Sequence, residues 1–132
     1  MSAEENKASF HRIIEAWNSN DPDTLDELVA PNVVRYYHGH GLVTDDGLEA
    51  YKQRLGHAHD IYADLQLTTK DIIAEGDTVM ARVALQGRHV GQVPGRPAPD
   101  NKLWGVQYCS LTHWQEGKLI EERWFWGQWE HL

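Results

Sequence analysis

Phe10, Ile13, Ile14 and Trp17 recur at i, i+3, i+4 and i+7, the stripe of an amphipathic helix. Ser2, three residues before Glu5, supplies the spacing of a capping box at its start. Asp21-Pro22 reads as an N-cap followed by proline at the first helical position, and Leu25, Leu28 and Val29 give a short second helix ended by Pro31. Residues 33–37 (VVRYY) are β-branched and aromatic, which predicts a strand stopped by Gly39 and Gly41. Asp46-Gly47 opens a third helix, with Leu48, Tyr51 and Leu55 on one face and Gly56 marking its end.

Beyond Gly56 the period falls from helical to two. Leu65, Leu67 and Thr69 alternate with polar residues, and residues 78–85 continue the β pattern after the turn Glu75-Gly76-Asp77. Residues 103–114 and 118–129 predict two long strands around Gln115-Glu116-Gly117, where glycine relieves a positive φ. The proline- and glycine-rich segment VGQVPGRPAPDN, residues 90–101, joins the two hairpins. Three helices followed by a long run of strands predict an α+β domain, in which three N-terminal helices cover one face of a curved antiparallel sheet. Such a sheet encloses a pocket open at one end, suited to a small apolar organic molecule.

Composition narrows the field. The chain of 132 residues fits one domain, 1–132, and its 41% hydrophobic and 24% charged content is that of a folded globular protein. Twenty acidic against 12 basic residues give a formal charge of -8, which repels phosphate backbones and anionic bilayers, so neither nucleic acid nor membrane is an expected partner. Cys109 is single and forms no intrachain disulfide. MSAEENKASF has neither the apolar core of a secretory signal nor an Arg-rich transit character, and no apolar run approaches the roughly 18 residues of a membrane span. A cytoplasmic location is the expectation. No G-x-S-x-G, P-loop, dinucleotide fingerprint or paired-cysteine motif is present, so nucleophilic, phosphoryl and hydride chemistry lack support.

Five segments occur in one order along nearly the whole chain: IIEAWNSNDPDTLDELVAPNVV, YADLQL, AEGDTVMAR, GRHVGQVPGRPAPDNK and EGKLIEERW. In these the sequence resembles the SnoaL-like polyketide cyclases, a branch of the nuclear transport factor 2-like superfamily. The resemblance implies a cone-shaped α+β barrel, a pocket between helices and sheet, and homodimers joined through the sheet. It further implies an intramolecular aldol ring closure without metal or organic cofactor, driven by a carboxylate of the last strand acting as acid and base. The family's G-K-I-x-E-x-W-x-x-x-D falls on the residues from Gly117 onward and places Gly127 where the aspartate belongs. A one-residue slip that aligns Trp124 with the family's tryptophan places Gln128 there instead. Neither residue transfers a proton, so a non-catalytic small-molecule-binding protein stands as the alternative to a cyclase, isomerase or dehydratase.

With the turn centred on Glu116-Gly117, ideal pairing sets Thr112 opposite Glu121, Ser110 opposite Arg123 and Tyr108 opposite Phe125 on the pocket face. Trp124 and Trp126 then lie on the other face, as a subunit contact; a bulge would exchange the two faces. In this reading Glu121 is the acid/base, with His38, His89 or His113 as its partner, because the histidine pKa suits proton transfer at neutral pH. Trp17, Tyr36, Tyr51, Tyr108, Arg123 and Phe125 line and position the substrate. The competing structural reading makes Glu121 a salt-bridge partner of Arg123 or Arg82, the histidines hydrogen-bonded or superficial, and the rings simple core. His38-Gly39-His40 and His57-Ala58-His59 carry paired histidines, but no carboxylate or cysteine spacing completes three ligands, and no metal is expected.

Overall fold

The computed structural model describes residues 2–39 and 42–132; the paired motif's His40 and the predicted strand stop at Gly41 lie outside them. Helix α1 spans Ala3–Ser19 and begins with the capping box: Ser2 Oγ accepts from the Glu5 amide at 3.1 Å, and Glu5 Oε1 accepts from the Ser2 amide at 3.2 Å. Helix α2, Pro22–Leu28, is capped by the Asp21 carboxylate, which accepts from the amides of Asp23 and Thr24. Helix α3 spans Leu48–Ile61. It runs past Gly56, the expected end, because a solvent-facing glycine weakens a helix without stopping it, and Tyr51 and Leu55 anchor it to the core.

The strands are β1 Val29–His38, β2 Val43–Asp46, β3 Tyr62–Glu75, β4 Thr78–His89, β5 Leu103–Gln115, β6 Lys118–Trp126 and β7 Glu130–His131. They form one seven-stranded sheet in the order β2-β1-β6-β5-β4-β3, with β7 paired to β5. The sheet is mixed, where an antiparallel one was expected: β1 lies parallel to β6 and antiparallel to β2. Strand β2, helix α3, the β3–β4 hairpin and β5 separate β1 from β6 in sequence, enough chain to bring them side by side in the same direction. The short β2 was not expected, and the single last strand predicted for residues 118–129 ends at Trp126. At the β5–β6 turn Glu116 and Gly117 both take positive φ, 51° and 78°, the conformation of a two-residue type I′ hairpin loop.

The β6 register decides which side chains enter the interior. Trp114 pairs with Leu119, but His113 pairs with Glu121, so Ile120 is an extra residue. From that bulge onward Thr112 faces Glu122, Ser110 faces Trp124 and Tyr108 faces Trp126. The expected pairing is displaced by one, and the β6 residues beyond Ile120 exchange faces while those of β5 keep theirs. Burial supplies the reason. In the bulged register Leu119 and Trp124 are 1% and 3% exposed, whereas the regular register would bury Phe125, now 43% exposed, and turn the larger indole outward.

Among the described residues no helix is long and apolar enough to cross a membrane.

Candidate functional site

On strand β1 the inward positions are Val33, Arg35 and Tyr37, all buried. A guanidinium thus sits where the alternation calls for an apolar side chain, and it is wholly enclosed at 0% exposure. Strand β6 sets Glu122 directly beside it, since Arg35 and Glu122 are register partners. Arg35 Nε donates to Glu122 Oε1 at 2.9 Å, and Ser110 Oγ donates to Glu122 Oε2 at 2.6 Å. Arg35 Nη1 donates to the Tyr37 hydroxyl and, at 3.3 Å, to Asp45 Oδ2. The Tyr37 hydroxyl donates to the same Asp45 oxygen at 2.6 Å, and Arg54, reaching in from α3, donates to Asp45 Oδ1 at 2.9 Å. Two cations and two carboxylates therefore balance, in a place where an unpaired charge would be prohibitive.

Aromatic rings close around this cluster. The Arg35 guanidinium carbon lies 3.8 Å from the Tyr51 ring centroid, 4.8 Å from that of Trp124 and 5.4 Å from that of Trp17. Trp17 Nε1 donates to the Tyr51 hydroxyl at 3.0 Å. Burial would lower the Arg35 pKa, but the surrounding Tyr37, Tyr51, Glu122 and Asp45 hold it above the usual arginine range, so the cation persists. Burial likewise pushes the Tyr37, Tyr51 and Tyr108 phenols up, with Arg35 opposing, and all three remain O–H groups at neutral pH. Such phenols donate hydrogen bonds but do not act as bases.

The expected pocket is filled. Trp17, Tyr37, Tyr51, Tyr108 and Trp124 occupy the space between helices and sheet, with Tyr108 stacked on Trp124 at 4.1 Å. Toward the open end of the cone the packing loosens to the half-buried rings of Trp126, Trp129 and Tyr62. Trp126 lies parallel to Tyr37 at 6.5 Å, and Trp129 is stacked on Tyr62 at 5.3 Å. His89 stands at this end, 5.7 Å from Tyr62, and its Nε2 is buried without a partner. Its flanking glycines are there for close approach: a Cβ at Gly87 would meet Tyr62 at 2.6 Å, and one at Gly91 would meet the Asp60 carbonyl at 2.3 Å.

A strap of C-terminal residues closes the same end. It is fixed by β7 on β5 and by Asp100, whose carboxylate accepts from the Lys102 amide, Trp104 Nε1 and His131. The Lys102 amide lowers the Asp100 pKa most, burial opposes it next in size, and Trp104 and His131 add to the lowering, which brings it down to about 2. A depressed carboxylate pKa contributes stability that is present above the unfolded value and lost as pH falls through the folded one. The Asp100 carboxyl is accordingly expected to titrate near pH 2 by NMR, with the strap's amide contacts intact at pH 4; titration at an ordinary carboxylate value would show the latch to be absent.

Glu121, Arg123, Phe125, Tyr36 and His38 do come together, but on the outer face. Arg123 lies 4.0 Å over the Tyr36 ring, donates from Nε to Glu121 at 3.2 Å, and sets Nη1 3.1 Å from His38 Nε2. His38 stacks on Phe125 at 4.6 Å. His113 shares that face, opposite Glu121 and 3.3 Å from the Thr78 hydroxyl. Of the residues expected to line the site, Trp17, Tyr51 and Tyr108 are interior. Arg35, Asp45, Glu122 and Tyr37 are absent from the expected site, and Ser110 enters it only as the pocket-face neighbour of Arg123. The available signal was the arginine in VVRYY, sharing its face with Val33 and Tyr37. Among the described residues no three His, Cys, Asp or Glu side chains are placed to hold a metal ion.

Comparison with known proteins adds the lineage. The profile of the SnoaL-like polyketide cyclases matches residues 8–131. Nogalonic acid methyl ester cyclase of Streptomyces nogalater is 29% identical over 113 residues, covering 84% of this chain and 82% of that protein. Aklanonic acid methyl ester cyclase AcmA of Streptomyces galilaeus is 27% identical over 120 residues, covering 88% and 80%. A structure from Jannaschia sp. CCS1, provisionally assigned as a SnoaL-like polyketide cyclase, superposes with a TM-score of 0.82 over 94% of this chain and 86% of that one. Its 20% identity speaks for the fold alone.

Proposed function

The chain belongs to the SnoaL-like polyketide cyclase family, and on that premise we propose that it catalyses a cofactor-independent proton transfer on a small polyketide-like molecule, with Glu122 as acid and base. The observation carrying this reading is the position of Glu122: a carboxylate on the inner face of the last long strand, 3% exposed, held between Arg35 and Ser110. A base must be positioned and shielded from water, and both conditions are met here. Glu121, at the outer face, pairs with Arg123 and stands away from the interior. Substrate entry requires the half-buried Trp126 and Trp129 rings to move aside, and the buried rings that fill the interior, Tyr108 and Tyr51 among them, to make room beside Glu122.

Nogalonic and aklanonic acid methyl esters, the compounds in the relatives' names, are the first substrates to try. Ring closure consumes an activated C–H and a carbonyl without change of mass, so loss of the ester to an isomeric product is the expected result by chromatography and mass spectrometry. Binding of either ester with no isomer formed would support the binding-only alternative.

The outer face supports a second copy of the chain as partner. The register aligns Ile73, Met80, Leu111, Arg123 and Tyr36 in one row across the sheet, and Ile73, Met80 and Phe125 are 68%, 38% and 43% exposed. Exposed apolar side chains in one patch are the mark of an interface. Phe125→Glu is expected to convert a dimer to monomer in sedimentation, with the circular dichroism spectrum unchanged. A monomeric parent protein would remove this reading.

A further inference from the structure

Two hydrogen-bond donors beside the buried carboxylates have no partner of their own. Glu122 Oε1 and Oε2 accept from Arg35 and Ser110, and both Asp45 oxygens accept from Arg54, Tyr37 or Arg35. All four carboxylate oxygens are in use. Yet Arg35 Nη2 and Trp124 Nε1 are buried without any partner, on side chains 0% and 3% exposed. The two groups are neighbours, the guanidinium carbon being 4.8 Å from the Trp124 ring centroid. Buried N–H groups are nearly always paired, so two unpartnered donors in one cluster point to an oxygen from outside the protein.

We propose that Arg35 Nη2 and Trp124 Nε1 bind the carbonyl oxygen of the substrate, at the carbon next to the one that Glu122 deprotonates. The inference rests on the Glu122 reading and supplies what that reading lacks, a counterpart for the negative charge that deprotonation creates. Glu122 takes the proton; the C–H electron pair forms the enolate double bond, and the carbonyl π pair moves to its oxygen. That oxyanion lies against a permanent cation and an indole N–H, in buried surroundings. The enolate carbon then bonds to the second carbonyl carbon, the first C=O re-forms, and the second oxygen recovers the proton from Glu122. No electron or proton is gained or lost overall. The arrangement accounts for an arginine held at full burial, since it stays charged where a lysine or histidine would give up its proton.

The probe is 4-nitrophenol, whose phenolate oxygen mimics an enolate and whose absorbance reports its ionisation. On the parent protein the bound phenol is expected to lose its proton about one pH unit lower than in water, a tenfold preference for the anion. Glu122→Gln removes the adjacent negative charge and should raise that preference by about another tenfold. Trp124→Phe keeps the ring and drops one donor, and should lower it by about fivefold. Because removing the arginine strands Glu122, Arg35→Lys serves as its variant: a donor to the carboxylate is retained, the free fork nitrogen is lost, and the preference should fall again. A bound phenol that titrates as in water, no saturable binding at millimolar concentration, or indifference to Trp124→Phe would each overturn the donor pair. Water-like titration together with lost turnover in Glu122→Gln overturns the donors and leaves the acid/base assignment standing. Full turnover in Glu122→Gln together with a shifted probe overturns that assignment, and with it this proposal's mechanism.

Discussion

Glu122→Gln should lower turnover by about a hundredfold or more, the ordinary contribution of a positioned general acid/base, whereas Glu121→Gln should leave it nearly unchanged. The two glutamates are adjacent in sequence and lie on opposite faces of one strand, so the pair is its own control. Glutamine retains the shape of Glu122 and an oxygen for the Arg35 Nε hydrogen bond, but has no carboxylate to receive a proton. Its folding cost is that of removing one charge from a buried ion pair, at the lower end of about 3–5 kcal/mol because Arg35 keeps Asp45, which thermal unfolding would register separately from activity. Equal activity in Glu122→Gln and the parent would end the proposed mechanism. Loss in Glu121→Gln alone would transfer the chemistry to the outer face, where Arg123 and His38 stand.

The largest expected stability effect belongs to Arg35→Met. Methionine fills a similar volume but leaves Glu122 with only Ser110, and removing one member of a buried ion pair destabilises by about 3–5 kcal/mol. For a domain of this size that amounts to roughly 10–20 °C in Tm. Adding Glu122→Gln should recover part of the loss, since the stranded charge is gone and Asp45 keeps Arg54. The two effects are then less than additive, as for residues sharing one network. A full sum in the double variant, or a Tm within a few degrees of the parent for Arg35→Met, would show that the pair does not hold the interior together.

Much of the scaffold was legible because its signals are local. Ser2 with Glu5, and Asp21 before Pro22, set two helix starts through contacts within a single turn. Glu116-Gly117 set the last hairpin by the φ values it needs. Gly56 misled, because a glycine's effect on a helix depends on what the following turn packs against, and α3 continues to Ile61. The missing aspartate also has a local structural setting. A Cβ at Gly127 would lie 2.7 Å from the Gln107 carbonyl, while the Gly127 amide donates to that same oxygen. The bulge at Ile120 is one extra residue, the same length as the slip that would set Glu122 and Trp124 at the E-x-W of the resembled motif and Gln128 at its aspartate. Glu122 is the glutamate of β6 that the bulge turns inward.

The sequence by itself determined the helices, the hairpins, the α+β class and the family, because caps, turn residues and hydrophobic period act over a few neighbouring residues. Tertiary structure alone decided the parallel pairing of β1 with β6, the packing of rings into the expected pocket, and which glutamate faces inward. A strand's side chains alternate with a period of two, so one extra residue at Ile120 reverses all that follow. Whether that residue is extruded depends on the burial gained by Trp124 against partners distant in sequence, Trp17 from α1 and Tyr37 from β1. No local pattern in β6 contains that balance, and the acid assigned to the site rests on it.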